Sequence, residues 1–108
     1  MEGTFAPELI LTESINSVLT ALKRSRFENE QTENAIDVLL TLMGSNVRIF
    51  PQEKSLALES FRIAKETDLT SYDALYVALA MRLEGSLVSR DPKQLEAARK
   101  MGIKTIVI

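Results

Sequence analysis

The stretch 70–95, TSYDALYVALAMRLEGSLVSRDPKQL, constrains this chain more than any other. Its first half is apolar almost all round, at Leu75, Tyr76, Val77, Ala78, Leu79, Ala80, Met81 and Leu83. A helix without a polar face has to be covered by protein over most of its surface. Gly85 then turns the chain, Ser86–Ser89 reads as a short strand with Leu87 and Val88 as its core, and Asp91 followed by Pro92 opens another helix. In an open α/β sheet, residues just past the carboxyl end of a strand line the crevice that ligands occupy. Asp91 falls at that place, and Asp73 lies in the first turn of the preceding helix.

The rest of the chain alternates in the same way. Met1–Ala6 reads as a short, poorly ordered start. Pro7 suits the first turn of a helix, and Leu11, Ile15, Val18 and Leu22 at helical spacing predict one over Pro7–Lys23. Glu13, Asn16, Ser17 and Thr20 share its opposite face. Lys23, Arg24 and Arg26 place positive charge at its end, which suits the negative pole of the helix dipole. A second helix over Glu28–Met43 keeps Ile36, Leu39, Leu40 and Met43 on one side, and Gly44 ends it. Val47–Phe50 is a short strand stopped by Pro51. A third helix, Glu53–Glu66, sets Ala57, Leu58, Phe61 and Ala64 on one face, with Leu56 and Ile63 elsewhere on its surface, so the expectation is a helix covered on more than one side. Beyond the central stretch, a helix over Pro92–Met101 capped by Gly102 and a strand over Thr105–Ile108 close the chain. Helices alternating with short apolar strands predict an α/β fold, a parallel sheet wrapped by helices.

What the crevice can do is limited by what the chain lacks. Its 108 residues suffice for one small domain with one core. There is no cysteine, which excludes disulfides, zinc thiolate sites and thiol nucleophiles. There is no histidine, which removes the commonest general base and histidine-ligated transition metals. Carboxylate, hydroxyl, lysine and arginine remain, and their metal-binding members favour the hard cations Mg²⁺ and Mn²⁺. With a net charge of -2, contact with nucleic acid has to rest on local patches or on a bound cation. No run of about 18 apolar residues and no basic-then-apolar leader occurs, so the expectation is a cytoplasmic protein that makes no membrane contact.

Three acids stand apart from the surface charge. Asp73 follows Thr70 at capping-box spacing. Asp91 before Pro92 is a good N-cap with proline at the first helical position. Glu13 shares a polar helix face with Asn16. Each has a structural reading by itself, as cap or solvated acid. If the three converge they repel one another, and a divalent cation relieves that repulsion.

The pieces PELILTESINSVL with Glu13 and Asn16, LTSYDALYVALA with Asp73, and LVSRDPKQL with Ser89 and Asp91 appear in that order, followed by a TIVI ending. In these pieces the chain resembles the PIN-domain family of metal-dependent ribonucleases, most closely its VapC-like toxin branch. The resemblance implies a three-layer PIN-like parallel sheet flanked by helices and a carboxylate cluster binding one or two Mg²⁺ or Mn²⁺ ions. On that cluster a water attacks an RNA phosphodiester. Carried over residue by residue, Glu13, Asp73 and Asp91 are the catalytic metal ligands, while Asn16 and Ser89 support them. Arg90 lies beside the site as a solvated arginine or a phosphate contact. The implied partners are an RNA substrate and an antitoxin protein.

The family begins with an apolar strand ending in aspartate, and no such piece precedes Glu13 here. The expectation is therefore a single PIN-like domain over 1–108 that is N-terminally truncated, its first central strand missing beside the strand of Leu87 and Val88. That leaves a gap in the sheet, one metal ligand fewer, and backbone groups in need of partners. An upstream segment, strand exchange with a second copy, or a rearranged sheet without a nuclease site would each answer the gap. The first is favoured, with poor stability or a homodimer expected of the chain itself. Two functions follow: a metal-dependent endoribonuclease of a toxin–antitoxin pair, or a truncated or degenerate PIN-like module that mediates protein association without cleavage.

Overall fold

A computed structural model of the chain describes residues 4–24 and 29–108, the side chains at 29–32 and 42–46 excepted. Along the chain run β1 (Phe5–Pro7), α1 (Leu9–Lys23), α2 (Asn29–Asn46), β2 (Arg48–Phe50), α3 (Lys54–Glu66), α4 (Ser71–Arg82), β3 (Leu87–Ser89), α5 (Pro92–Lys100) and β4 (Thr105–Val107). The architecture is mixed α/β, with parallel strands flanked by helices. The described residues fall into two compact units, one up to residue 51 and one from residue 52 onward. No helix among them is long and apolar enough to cross a membrane.

In the N-terminal unit, β1 lies parallel to β2 with Phe5 opposite Arg48, Ala6 opposite Ile49 and Pro7 opposite Phe50. This corrects two expectations: Phe5–Pro7 is a strand rather than part of an unordered start, and Pro7 ends that strand while the helix begins at Leu9. The backbone explains why proline is tolerated there. The Arg48 N–H donates to the Thr4 carbonyl at 2.8 Å and the Glu8 N–H donates to the Phe50 carbonyl at 3.0 Å. Alternation along a parallel pair then turns Thr4, Ala6 and Glu8 toward β2 and Phe5 and Pro7 away from it. The N–H that proline lacks is one β2 never asks for.

Helix α1 carries Lys23 in its last turn, as expected, while Arg26 lies outside the described residues. None of its residues is fully buried, although Leu11, Ile15, Val18 and Leu22 have the expected spacing. Helix α2 continues past Gly44 to Asn46 instead of ending there. Glycine inside a helix costs only about 1 kcal/mol relative to alanine, so it weakens a helix without stopping it. Of the apolar side expected on α2, Ile36 and Leu39 are half-buried, Leu40 is exposed, and the Met43 side chain lies outside those described.

The C-terminal unit holds most of the core. Helix α4 is buried at Ala74, Leu75, Val77, Ala78, Leu79 and Ala80, as its all-round apolar sequence predicts. It packs chiefly against α3. The face that α3 buries is Leu56, Ser60 and Ile63, whereas the predicted Leu58 and Phe61 are exposed. Both stripes have helical spacing. The buried one has a small residue at its centre, facing a helix rich in alanine, and small side chains let two helices come close. The Ser60 hydroxyl is satisfied locally by donating to the Ala57 carbonyl at 2.7 Å.

Strand β3 lies parallel to β4, with Leu87, Val88 and Ser89 opposite Thr105, Ile106 and Val107, and α5 forms the crossover. Leu87 and Ser89 are buried while Val88 and its neighbour Ile106 are exposed, the period-two pattern of a sheet covered on one face. The expected turn after α4 has its left-handed residue at Glu84 (φ 52°), one before Gly85, whose N–H donates to the Ala80 carbonyl at 2.9 Å. At the end of α5, Gly102 takes that conformation as predicted, with φ 77°.

Candidate active site

Asp73 is the third helical residue of α4, and the preceding Thr70 is the N-cap, its hydroxyl accepting the Asp73 N–H at 3.2 Å. That is one half of a capping box. In the other half the acid reaches back to the N–H of the cap residue. No such bond forms here, and among the described residues the half-buried Asp73 carboxylate makes no hydrogen bond or ion pair. The helix start therefore does not consume this carboxylate.

Asp91 caps α5 from the residue before Pro92, its Oδ1 accepting the Lys93 N–H at 3.1 Å. The structural role read from the sequence is present, and it uses one of the two carboxylate oxygens. The Asp91 N–H donates to the hydroxyl of Ser89 at 3.1 Å. Ser89 is buried at the carboxyl end of β3, and its hydroxyl donates in turn to Gln94 Oε1 at 2.6 Å. Gln94 Nε2 then donates to the backbone carbonyl of Asp73 at 3.0 Å. A continuous path of hydrogen bonds thus ties the end of β3, the first turn of α5 and the first turn of α4 together. It brings Asp73, Ser89 and Asp91 to one end of this unit.

Gln94 was not among the residues singled out from the sequence. A signal was available: Asp91 and Gln94 stand at capping-box spacing, acid at the cap and amide at the third helical position. The structure departs from that motif, because the cap N–H goes to Ser89 and the Gln94 side chain is released to bridge.

Glu13 and Asn16 are both exposed on α1 in the N-terminal unit, where the Ser17 hydroxyl donates to the Glu13 carbonyl at 3.1 Å. Arg90 is exposed beside Asp91. Lys93 reaches Asp68 at 3.7 Å, in an open groove lined by Thr67, Asp68, Lys93, Glu96, Ala97 and Lys100 that neither Asp73 nor Asp91 enters.

These donors can be tested against a hard divalent cation. Carboxylate and hydroxyl oxygens are the ligands Mg²⁺ and Mn²⁺ prefer, so the chemistry of Asp73 and Asp91 fits. Two acids fall short of a closed site, and no group of three aspartate, glutamate, histidine or cysteine side chains able to hold a metal forms among the described residues.

Comparison with protein families matches the PIN domain model to residues 4–100, nearly the whole chain. The chain belongs to the PIN-domain family. Comparison with curated proteins finds no match. The matched span takes in Glu13, Asn16, Asp73, Ser89 and Asp91. PIN domains have a nuclease-like fold, generally use divalent metal ions, commonly bind RNA and often pair with antitoxins.

Proposed function

We propose that this PIN domain is a metal-dependent endoribonuclease that hydrolyses RNA phosphodiesters as the toxin of a toxin–antitoxin pair. Glu13, Asp73 and Asp91 would hold Mg²⁺ or Mn²⁺, with Asn16 and Ser89 in support. The observation that carries this reading is the hydrogen-bonded path holding Asp73 and Asp91 at the end of β3 while the caps leave carboxylate oxygens unused.

The chain's own groups account for much of the chemistry required. Asp73 lies in the first turn of α4 and Asp91 at the N-cap of α5, where the helix dipole favours negative charge. The Asp91 cap bond to Lys93 fixes its side chain and leaves the second oxygen available. Ser89, spent on its two neighbours, positions Asp91 and takes no part as a nucleophile. A divalent ion held there would supply activation of a water and stabilisation of charge on the leaving oxygen, which removes the need for a histidine. Arg90 is placed to meet a neighbouring phosphate. A small antitoxin would restrain the enzyme by occupying the acidic crevice.

The proposal extends to the sheet. Leu87 and Ser89 bond to β4, so alternation turns the Val88 N–H and carbonyl to the opposite edge. A strand ending in aspartate along that edge, as in the family pattern, would add a ligand and pair these groups. A second copy of the chain is the other source of such pairing, which would make a homodimer.

The second reading is a PIN-like module that associates with other proteins without cleaving. The exposed pair Val88 and Ile106, on the uncovered face of the β3–β4 sheet, favours it.

Calorimetric titration with Mn²⁺ separates the two. The chain is expected to bind, and Asp73→Asn and Asp91→Asn are each expected to abolish binding and RNA hydrolysis while the fold persists by circular dichroism. No binding by the parent, or unchanged binding in both variants, would overturn the nuclease reading.

A further inference from the structure

The Gln94 side chain bonds both to the β3 end and to α4. Its Oε1 accepts from Ser89 and its Nε2 donates to the Asp73 carbonyl. The orientation of the amide follows from chemistry, because a backbone carbonyl can only accept and therefore requires the NH₂ end. Ser89 is buried and acts in both directions, accepting from the Asp91 N–H and donating to Gln94.

At the third position of a helix capped by aspartate, glutamine ordinarily bonds back to the cap N–H. Here Ser89 takes that N–H, and the amide is redirected across the gap to α4. The redirection has a cost without the bridge, since the Ser89 proton and the Gln94 amide would lose their partners in a part-buried setting. The bridge is also electrically neutral. It holds two acid-bearing helix starts together without a cation, where a lysine or arginine in its place would neutralise the acids it serves.

We propose that Gln94 is a positioning residue that sets the separation of Asp73 and Asp91, and so the affinity of the site for a divalent cation. This rests on the nuclease reading above for its metal, and on the hydrogen bonds alone for its geometry. Partners that orient metal ligands typically contribute 10- to 100-fold in affinity.

The test uses Gln94→Met, which keeps the length and removes both bonds, and Gln94→Glu, which keeps an acceptor for Ser89 and loses the donor to Asp73. Two readouts are taken: Mn²⁺ affinity by calorimetry, and backbone amide exchange at Asp91 and Lys93 by NMR without metal. Expected is a fall in affinity of about 10-fold or more in Gln94→Met; Gln94→Glu adds a carboxylate beside the site and is read by amide exchange alone. Amide exchange should be faster at Asp91 in both, measured at a temperature where each variant is folded. Parent-like affinity and exchange in Gln94→Met would overturn the proposal. If the parent binds no Mn²⁺, the metal reading fails, and exchange alone decides: faster at Asp91 supports positioning, unchanged overturns it. If Gln94→Met does not fold, amide exchange in Gln94→Glu decides: faster at Asp91 supports positioning, unchanged overturns it.

Discussion

The two units of this chain are built from similar elements and end up differently packed. The first has two helices and the second three, and each has a parallel pair of three-residue strands. From residue 52 onward the core includes Leu56, Ile63, Leu69, Val77, Leu87, Leu95 and Ile103. Up to residue 51, the buried residues among those described are Ala6 and Pro7, both in β1, and Ile15, Leu19, Val38 and Leu40 are exposed. Periodicity specifies which residues share a face. Whether that face is covered depends on what the rest of the fold brings to it.

The largest effect that would sharpen this contrast lies within one helix. Leu56 is fully buried and Leu58, two residues on, is about half exposed, so removing each tests the packing of α3 directly. Leu56→Ala should destabilise by roughly 2–5 kcal/mol through lost burial and the cavity left behind. Leu58→Ala should cost about 1 kcal/mol or less. Urea denaturation measures both, and equal costs would mean that the outer stripe is also covered in solution.

That pair shows where the sequence was legible and where it was not. Helix α4 could be read because apolar residues occupy every side, so no choice of face was needed. The caps at Thr70, Asp91 and Gly102 could be read because they depend on side-chain chemistry within a few residues. Helix α3 was legible only in part because two apolar stripes compete, and the one covered faces the small residues that α4 presents. Strand β1 was missed because Phe5–Pro7 is three residues long and contains proline, and the strand it pairs with, β2, lies about 40 residues away in sequence. The candidate site divides along the same line. Asp73 and Asp91 were visible as acids at helix starts, whereas the bridge through Gln94 joins residues 21 apart and belongs to the tertiary structure.

An intermediate effect comes from a backbone position inside the well-packed unit. Gly102 ends α5 with φ 77°, and its N–H donates to the Arg99 carbonyl at 3.1 Å. Its absent Cβ would meet nothing within 4 Å, so the cost of a side chain is conformational alone. Gly102→Ala should therefore lose roughly 1–2 kcal/mol, the penalty for a left-handed alanine. A thermal melt reads this as a lower Tm, and an unchanged Tm would mean that the turn relaxes out of its left-handed form.

The smallest effect is the one best able to break the comparison. Val38 on α2 is more than half exposed, at 58%. Val38→Ala gives up little burial, and alanine's higher helix propensity returns several tenths of a kcal/mol, so the net change should stay within about 0.5 kcal/mol. If it instead costs more than about 1.5 kcal/mol, Val38 is covered by something the single chain does not supply. Repeating the melt at several protein concentrations then identifies the cover. A loss that shrinks on dilution means a second copy seated on α2, because stability gained by association depends on concentration. A small, concentration-independent change leaves the contrast intact, with stability concentrated from residue 52 onward and the helices before it held less tightly.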